Sequence, residues 1–148
     1  MVVPTEITAQ LARSLGADME IQIGNLPAAL AAADVAIAKT GTVTMECAFF
    51  RVPTVTLYKG SWLNYQIARH YITVKTFTMA NLLAGEEVYP EFLQHALTAE
   101  NLSRATLELL QSEPRRAKLH AQLEKIIASL GEPGATKRAA EAVLSLFR

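Results

Sequence analysis

Short β-like runs alternate with helical segments through the first half of this 148-residue chain, and the joints between them are brief. That alternation constrains the fold more than any other feature. A strand, a crossover helix and a second strand joined by short loops return the chain in one direction, so the strands are parallel. Such crossovers are right-handed in nearly all cases.

The pattern predicts specific elements. Val2-Val3 is a strand stub. Ile7, Leu11 and Leu15 form a helical stripe over Glu6 to Leu15, and Gly16 stops it. Met19 to Ile23 alternates with period two and reads as a strand. Asn25 is the expected N-cap, and Pro27 the first-turn proline, of a helix through Ala33. Val35 to Ala38 reads as a strand buried on both faces, Thr42 to Phe50 as a helix, and Thr54 to Tyr58 as a β-branched strand. Ser61 caps an expected helix from Trp62 to about His70, and Ile72 to Met79 is a further expected strand. Downstream, Asn81 to Gly85 is a loop signal and the remainder is helical: Pro90 to His95, Thr98 to Gln111, Ser112 to Leu130, and a last helix after Gly134. The expected fold class is therefore α/β, a Rossmann-like three-layer sandwich with a mainly parallel sheet and a helical C-terminal tail. It reads as a single domain, with sheet and crossover helices to about residue 97 and C-terminal helices beyond it.

Composition narrows the function classes. The 14 basic and 14 acidic residues cancel, and no basic run tracks phosphates, so nucleic acid is not an expected partner. One cysteine excludes an internal disulfide framework and a cysteine-based zinc site. His70, His95 and His120 lack paired ligand spacing, so no metal and no cofactor is expected. Leu26 to Ala38 is too short and too interrupted to span a bilayer, and Glu6 comes too early for a signal peptide. The expected setting is cytoplasmic. Trp62, Tyr65, Arg69, His70, Tyr71 and Lys75 mix aromatics with cations; a peripheral membrane contact and core aromatics with snorkelling cations explain them equally well.

Ligands of parallel sheets sit at the carboxyl ends of the strands. Lys39 to Glu46 follows a strand there and opens a helix. Gly41 lets the backbone approach an anion, the helix start offers N–H groups, and Thr40, Thr42 and Thr44 add hydroxyls. Glu46, one turn in, is placed to accept from a ribose diol; the plainer alternative is a helix start with a dipole-matching acid. Neither a Walker A loop nor a Gly-x-Gly-x-x-Gly fingerprint occurs. Lys59 leaves the next strand end, either toward a diphosphate or as a solvated lysine. Asn81 suits a base edge or a sugar, or simply a turn. Cys47 reads as a core thiol.

Three stretches taken together resemble one family. Thr40-Gly41-Thr42-Val43-Thr44-Met45-Glu46, then Pro53 with Tyr58-Lys59, then Asn81-Leu82-Leu83-Ala84-Gly85-Glu86, are similar to the C-terminal domain of lipid-A-disaccharide synthases. The resemblance implies a GT-B glycosyltransferase that moves 2,3-diacylglucosamine from UDP to lipid X without a metal. It implies that the backbone of Gly41, Thr42, Val43 and Thr44 cradles the diphosphate, that Glu46 holds the ribose, and that Asn81 contacts the nucleotide; Thr40 and Lys59 are further candidates for the UDP site on the residue reading above. It also implies a donor domain incomplete at its amino end. Its partners would be the UDP-sugar and either the N-terminal acceptor domain or a second copy of the chain, at the inner face of the inner membrane. Glu86 and Glu87 stand where the family usually carries a basic residue. The alternatives are another GT-B-like enzyme using UDP-N-acetylglucosamine, or a non-catalytic nucleotide-binding module.

Overall fold

A computed structural model describes residues 1–16, 18–61 and 76–147. The strands are β1 (Val2–Val3), β2 (Gln22–Ile23), β3 (Ala36–Lys39), β4 (Thr54–Tyr58) and β5 (Glu91–Leu93). The helices are α1 (Glu6–Ser14), α2 (Leu26–Ala31), α3 (Val43–Phe49), α4 (Met79–Ala84), α5 (Ala99–Gln111), α6 (Glu113–Ser129) and α7 (Ala135–Ser145). Every strand pair is parallel, as the alternation requires. The described strands form two short sheets, β1-β2 and β3-β4-β5. Helices α3 and α5 both pack on β3 and β4, and α6 packs across α3, α4 and α5. The core gathers Leu30, Cys47, Val55, Tyr89, Leu109 and Leu123 from these layers.

Local chemistry explains the helix starts that the sequence announces. Thr5 and Thr8 form a reciprocal capping box on α1. Thr98 and Ser112 accept from Asn101 N and Arg115 N at the starts of α5 and α6. Asn25 does not cap α2 as expected. Its backbone is left-handed, at φ 51°, and its side chain makes no cap bond. Asparagine tolerates that conformation better than most residues, so it serves as a turn instead.

Other expectations fail for tertiary reasons. Only Gln22 and Ile23 of the Met19–Ile23 stretch are strand, because their partner β1 is itself two residues long. The α1 stripe exists but points outward: Ile7 is 79% and Leu11 57% exposed, while Ala9 is buried. β3 is not buried on both faces, since Ile37 is 51% exposed. Asn81 to Gly85 is not a loop: Met79–Ala84 is helical, and Gly85, at φ 69°, supplies the left-handed stop. Pro90 does not open a helix. Glu91–Leu93 is captured by β4 through the pairs Thr56↔Glu91 and Tyr58↔Leu93, and only Gln94–Ala96 turns as a 3₁₀ helix. The helix expected from Trp62 to His70 lies outside the described residues, as does the first half of the Ile72–Met79 strand; Thr76 to Thr78 are not strand and Met79 is helical.

Buried polar groups lock the layers together. Asn81 is fully buried; its Oδ1 accepts from Val88 N at 3.0 Å and Tyr89 N at 2.8 Å, and its Nδ2 donates to Tyr89 O at 2.9 Å. The Tyr89 hydroxyl donates to Val52 O at 3.1 Å. The end of α3 is a Schellman turn, with Arg51 N bonded to Ala48 O and Val52 N to Cys47 O. Arg51 occupies its left-handed position, at φ 57°, and pairs with Glu124 of α6 at 3.5 Å.

Two consequences are measurable. Asn81→Leu keeps the volume but orphans three backbone groups, at about 1–3 kcal/mol each when buried. Denaturant unfolding of that variant should show a loss of about 3 kcal/mol or more; a loss below 1 kcal/mol would show that the three bonds do not brace the fold. The second concerns Tyr89, whose hydroxyl is pushed far above its ordinary pKa, chiefly by burial. The folded state favours the neutral phenol, so this contribution is intact below the unfolded pKa of about 10 and lost as pH rises above it. Tyr89→Phe should unfold more readily at neutral pH, by about 0.5–1.5 kcal/mol, and lose less stability between pH 9 and 11 than the parent. Parallel pH–stability curves would contradict this.

Candidate functional site at the carboxyl edge of the sheet

Adjacent parallel strands deliver their loops to one edge. The pairing of Lys39 with Leu57 places the Thr40–Glu46 segment beside Lys59. Thr40 N donates to Leu57 O at 2.8 Å and anchors the loop to β4. Beyond it, Thr44 N and Thr44 Oγ1 both donate to Gly41 O, at 3.1 and 2.7 Å, which draws the chain into the first turn of α3. The N–H groups of Gly41, Thr42 and Val43 have no partner among the described residues. A Cβ placed on Gly41 would meet no atom within 4 Å, so the space over the loop is open. The Thr40 hydroxyl is buried and has no hydrogen-bond partner among the described residues. Three unspent N–H groups and one unspent hydroxyl, at the positive end of a helix, form a donor-rich surface suited to an anion.

The expected residues separate into three groups. Thr40, Gly41, Thr42, Val43, Glu46 and Lys59 come together at this edge, and the last two are exposed. Thr44 belongs to the loop but is wholly buried, with its hydroxyl committed to Gly41 O, so only its place in the turn contributes. Asn81 stands apart from both groups: among the described residues its side chain makes three hydrogen bonds, all to the backbone of Val88 and Tyr89, so its amide is committed to bracing the interior. A buried amide that closes a turn of backbone has no sequence signature to distinguish it from one that reads a ligand.

The structure adds a residue that sequence reasoning left without a role. Lys39, the last residue of β3, holds its Nζ 5.9 Å from the centre of the Tyr58 ring. With Lys59 it puts two cations at the ends of neighbouring strands. A lysine closing a β-run next to Thr-Gly-Thr was the available signal.

Two hollows among the described residues lie elsewhere. One, of about 510 Å³, is bordered by Thr76, Asn81, Gly85, Glu86, Glu87 and Glu91. Its wall is acidic, and Glu91 is occupied by bonds from Thr76 Oγ1, Phe77 N and Thr78 Oγ1. The other, of about 390 Å³, adjoins Asp34 and Pro53, at the amino ends of β3 and β4. Neither includes Thr40 to Glu46, which lie on an open face. Cys47 is buried beneath that face; burial pushes its thiol pKa up, so it does not present a ready nucleophile. Among the described residues no group of three or more His, Cys, Asp or Glu side chains is gathered for a metal, and no helix is long and apolar enough to cross a membrane.

Comparison with known proteins places the chain among its relatives. A family model described as lipid-A-disaccharide synthetase matches residues 6–146. The lipid-A-disaccharide synthase of Anaeromyxobacter dehalogenans strain 2CP-C is 36% identical over 151 residues, covering 99% of this chain and 39% of the relative. The synthase of Synechocystis is 42% identical over 118 residues, covering 78% of this chain and 30% of the relative. The chain thus spans well under half the length of these relatives. Matched almost from end to end, it belongs to the lipid-A-disaccharide synthetase family.

Proposed function

We propose that this chain is the donor-binding part of a lipid-A-disaccharide synthase, holding the UDP half of a UDP-2,3-diacylglucosamine donor while the sugar passes to lipid X. The observation that carries the reading is the cluster at the carboxyl end of β3: the unpartnered Thr40 hydroxyl with the open N–H groups of Gly41, Thr42 and Val43. In a synthase of this family, the anion that a donor brings is the diphosphate.

The chemistry assigned to these residues is electrostatic. The bond between the anomeric carbon and the diphosphate breaks as the acceptor hydroxyl attacks, and negative charge builds on the leaving UDP. Fixed N–H donors aimed at that charge stabilise the transition state more than the ground state. Lys39 and Lys59 add positive charge at the same edge, screened by solvent while the face is open. Glu46 accepts from the ribose hydroxyls and fixes the nucleoside. The acceptor site, the general base and the walls that exclude water belong to polypeptide outside these residues, and closure against this face supplies orientation. The peripheral approach to the inner membrane needed to meet two lipid substrates is likewise assigned to the assembled protein.

Calorimetry tests the nucleotide site. UDP should bind weakly, and more tightly than ADP or uridine. Glu46→Ala should weaken UDP by about 1.5–3 kcal/mol, the range for a hydrogen bond to a charged group, and leave 2′,3′-dideoxy-UDP nearly unaffected. Equal weakening of both ligands would reduce Glu46 to a helix-end acid, and equal responses to UDP, ADP and uridine would remove the UDP assignment.

The division of labour is tested by turnover. UDP release from UDP-2,3-diacylglucosamine with lipid X should be at background for the purified chain. Robust release by the chain alone would place the catalytic base within these 148 residues.

A further inference from the structure

The two lysines at the carboxyl edge are not equivalent. Lys39 holds its Nζ over the face of the Tyr58 ring, 5.9 Å from the centre. That is within the range at which an ammonium is drawn to an aromatic face. Among the described residues Lys59 makes no such contact, and neither lysine forms an ion pair. Register explains the difference. Lys39 pairs with Leu57, so Tyr58 stands one residue further along the neighbouring strand, within reach of a four-carbon stem. A lysine without a partner is spread over many rotamers. At a solvent-exposed site the ring contact biases them by about two- to fivefold.

The ring is itself seated. Gly60 is the one glycine of the chain without a positive φ, so its bare backbone provides space and not a special conformation. A Cβ there would lie 3.2 Å from Tyr58 Cε1 and 3.4 Å from the Tyr58 hydroxyl oxygen, and the ring would have to give way. Gln94 Nε2 donates to Gly60 O at 3.4 Å, which ties that backbone to the residue after β5. Three strand ends therefore contribute: β3 the cation, β4 the ring, and β5 the bond that steadies the seat.

We propose that Tyr58 is a positioning residue: seated on Gly60, it holds Lys39 at the edge so that the second phosphate of the donor meets a full positive charge. The proposal rests on the donor site described above. The N–H groups of Gly41, Thr42 and Val43 carry partial charges and suit one phosphate. A diphosphate brings further negative charge, and Lys39, which adjoins Thr40, is the nearest cation in sequence to that loop. Holding the ammonium before the ligand arrives reduces the ordering that binding requires. As charge builds on the departing diphosphate, a fixed ammonium stabilises it more than a freely moving one. Tyr58 acts through Lys39 and not on the reacting atoms.

NMR and titration together test this in the 148-residue chain. The Lys39 ε-methylene signal, assigned by its loss in Lys39→Gln, should lie upfield of that of Lys59 through the ring current. Tyr58→Phe should keep the shift and Tyr58→Leu abolish it. Tyr58→Leu should bind UDP about two- to fivefold more weakly than the parent and UMP equally well, while Tyr58→Phe should match the parent for both. Lys39→Gln should weaken UDP at least as much, and adding Tyr58→Leu to it should change nothing further. If Tyr58→Leu does not fold, Gly60→Ala takes its place, with a reduced shift and a smaller loss of UDP affinity as the expected result. Equal weakening of UDP, UMP and uridine overturns the proposal, because the ring would then support the loop or stack on the base. Additive effects of the two substitutions overturn it as well. UDP affinity undiminished in Tyr58→Leu removes the proposal alone, whereas a parent chain that binds no UDP removes the donor site and the proposal with it.

Discussion

One amide holds the second half of this structure in register. Asn81 sits in a short helix, yet its side chain satisfies both N–H groups of Val88 and Tyr89 and the carbonyl of Tyr89. That fixes the approach to β5, and the Tyr89 hydroxyl continues the link to Val52, just ahead of β4. Each bond, made inside a low-dielectric interior, contributes little net stability, but losing one is costly. Strand β4, the centre of its sheet, is therefore positioned by polar contacts as much as by packing. Four wholly buried threonines belong to the same pattern, with Thr56 meeting both Thr78 and Pro90 O.

The functional edge depends on that positioning. Lys59 leaves β4, and the Thr40 loop is tied to β4 through Leu57. Because the two strands are parallel and in fixed register, the loop donors and the lysines arrive at the same edge. On the proposed reading the face is open because it is half of a cleft: a nucleotide lying there would meet donors on one side and solvent on the other until a second surface closed over it.

Much of this was legible in the sequence where local chemistry decides. Thr98 and Ser112 cap the helices they announce, Thr54 to Tyr58 is strand throughout, and Thr40 to Glu46 lies at a strand's carboxyl end. Legibility failed where distant residues decide. Glu91 to Leu93 becomes strand only because β4 offers an edge. The Ile7-Leu11-Leu15 stripe has helical spacing, but spacing cannot reveal whether a neighbour is present to cover it. Asn81 shows the same limit for chemistry, since an asparagine poised for a sugar and one satisfying backbone look alike in sequence.

The turn between α3 and β4 has a consequence for variation. Arg51 holds a backbone conformation that favours glycine, and its guanidinium reaches Glu124 on another helix. Conformation and charge therefore pull the position in opposite directions. Glycine there relaxes the backbone and releases the helix contact. Lysine keeps the charge and the backbone cost, while valine or isoleucine forfeits the contact and raises that cost further. The position is thus pulled between residues that accept the left-handed backbone, glycine or asparagine, and long cations that keep the contact with Glu124.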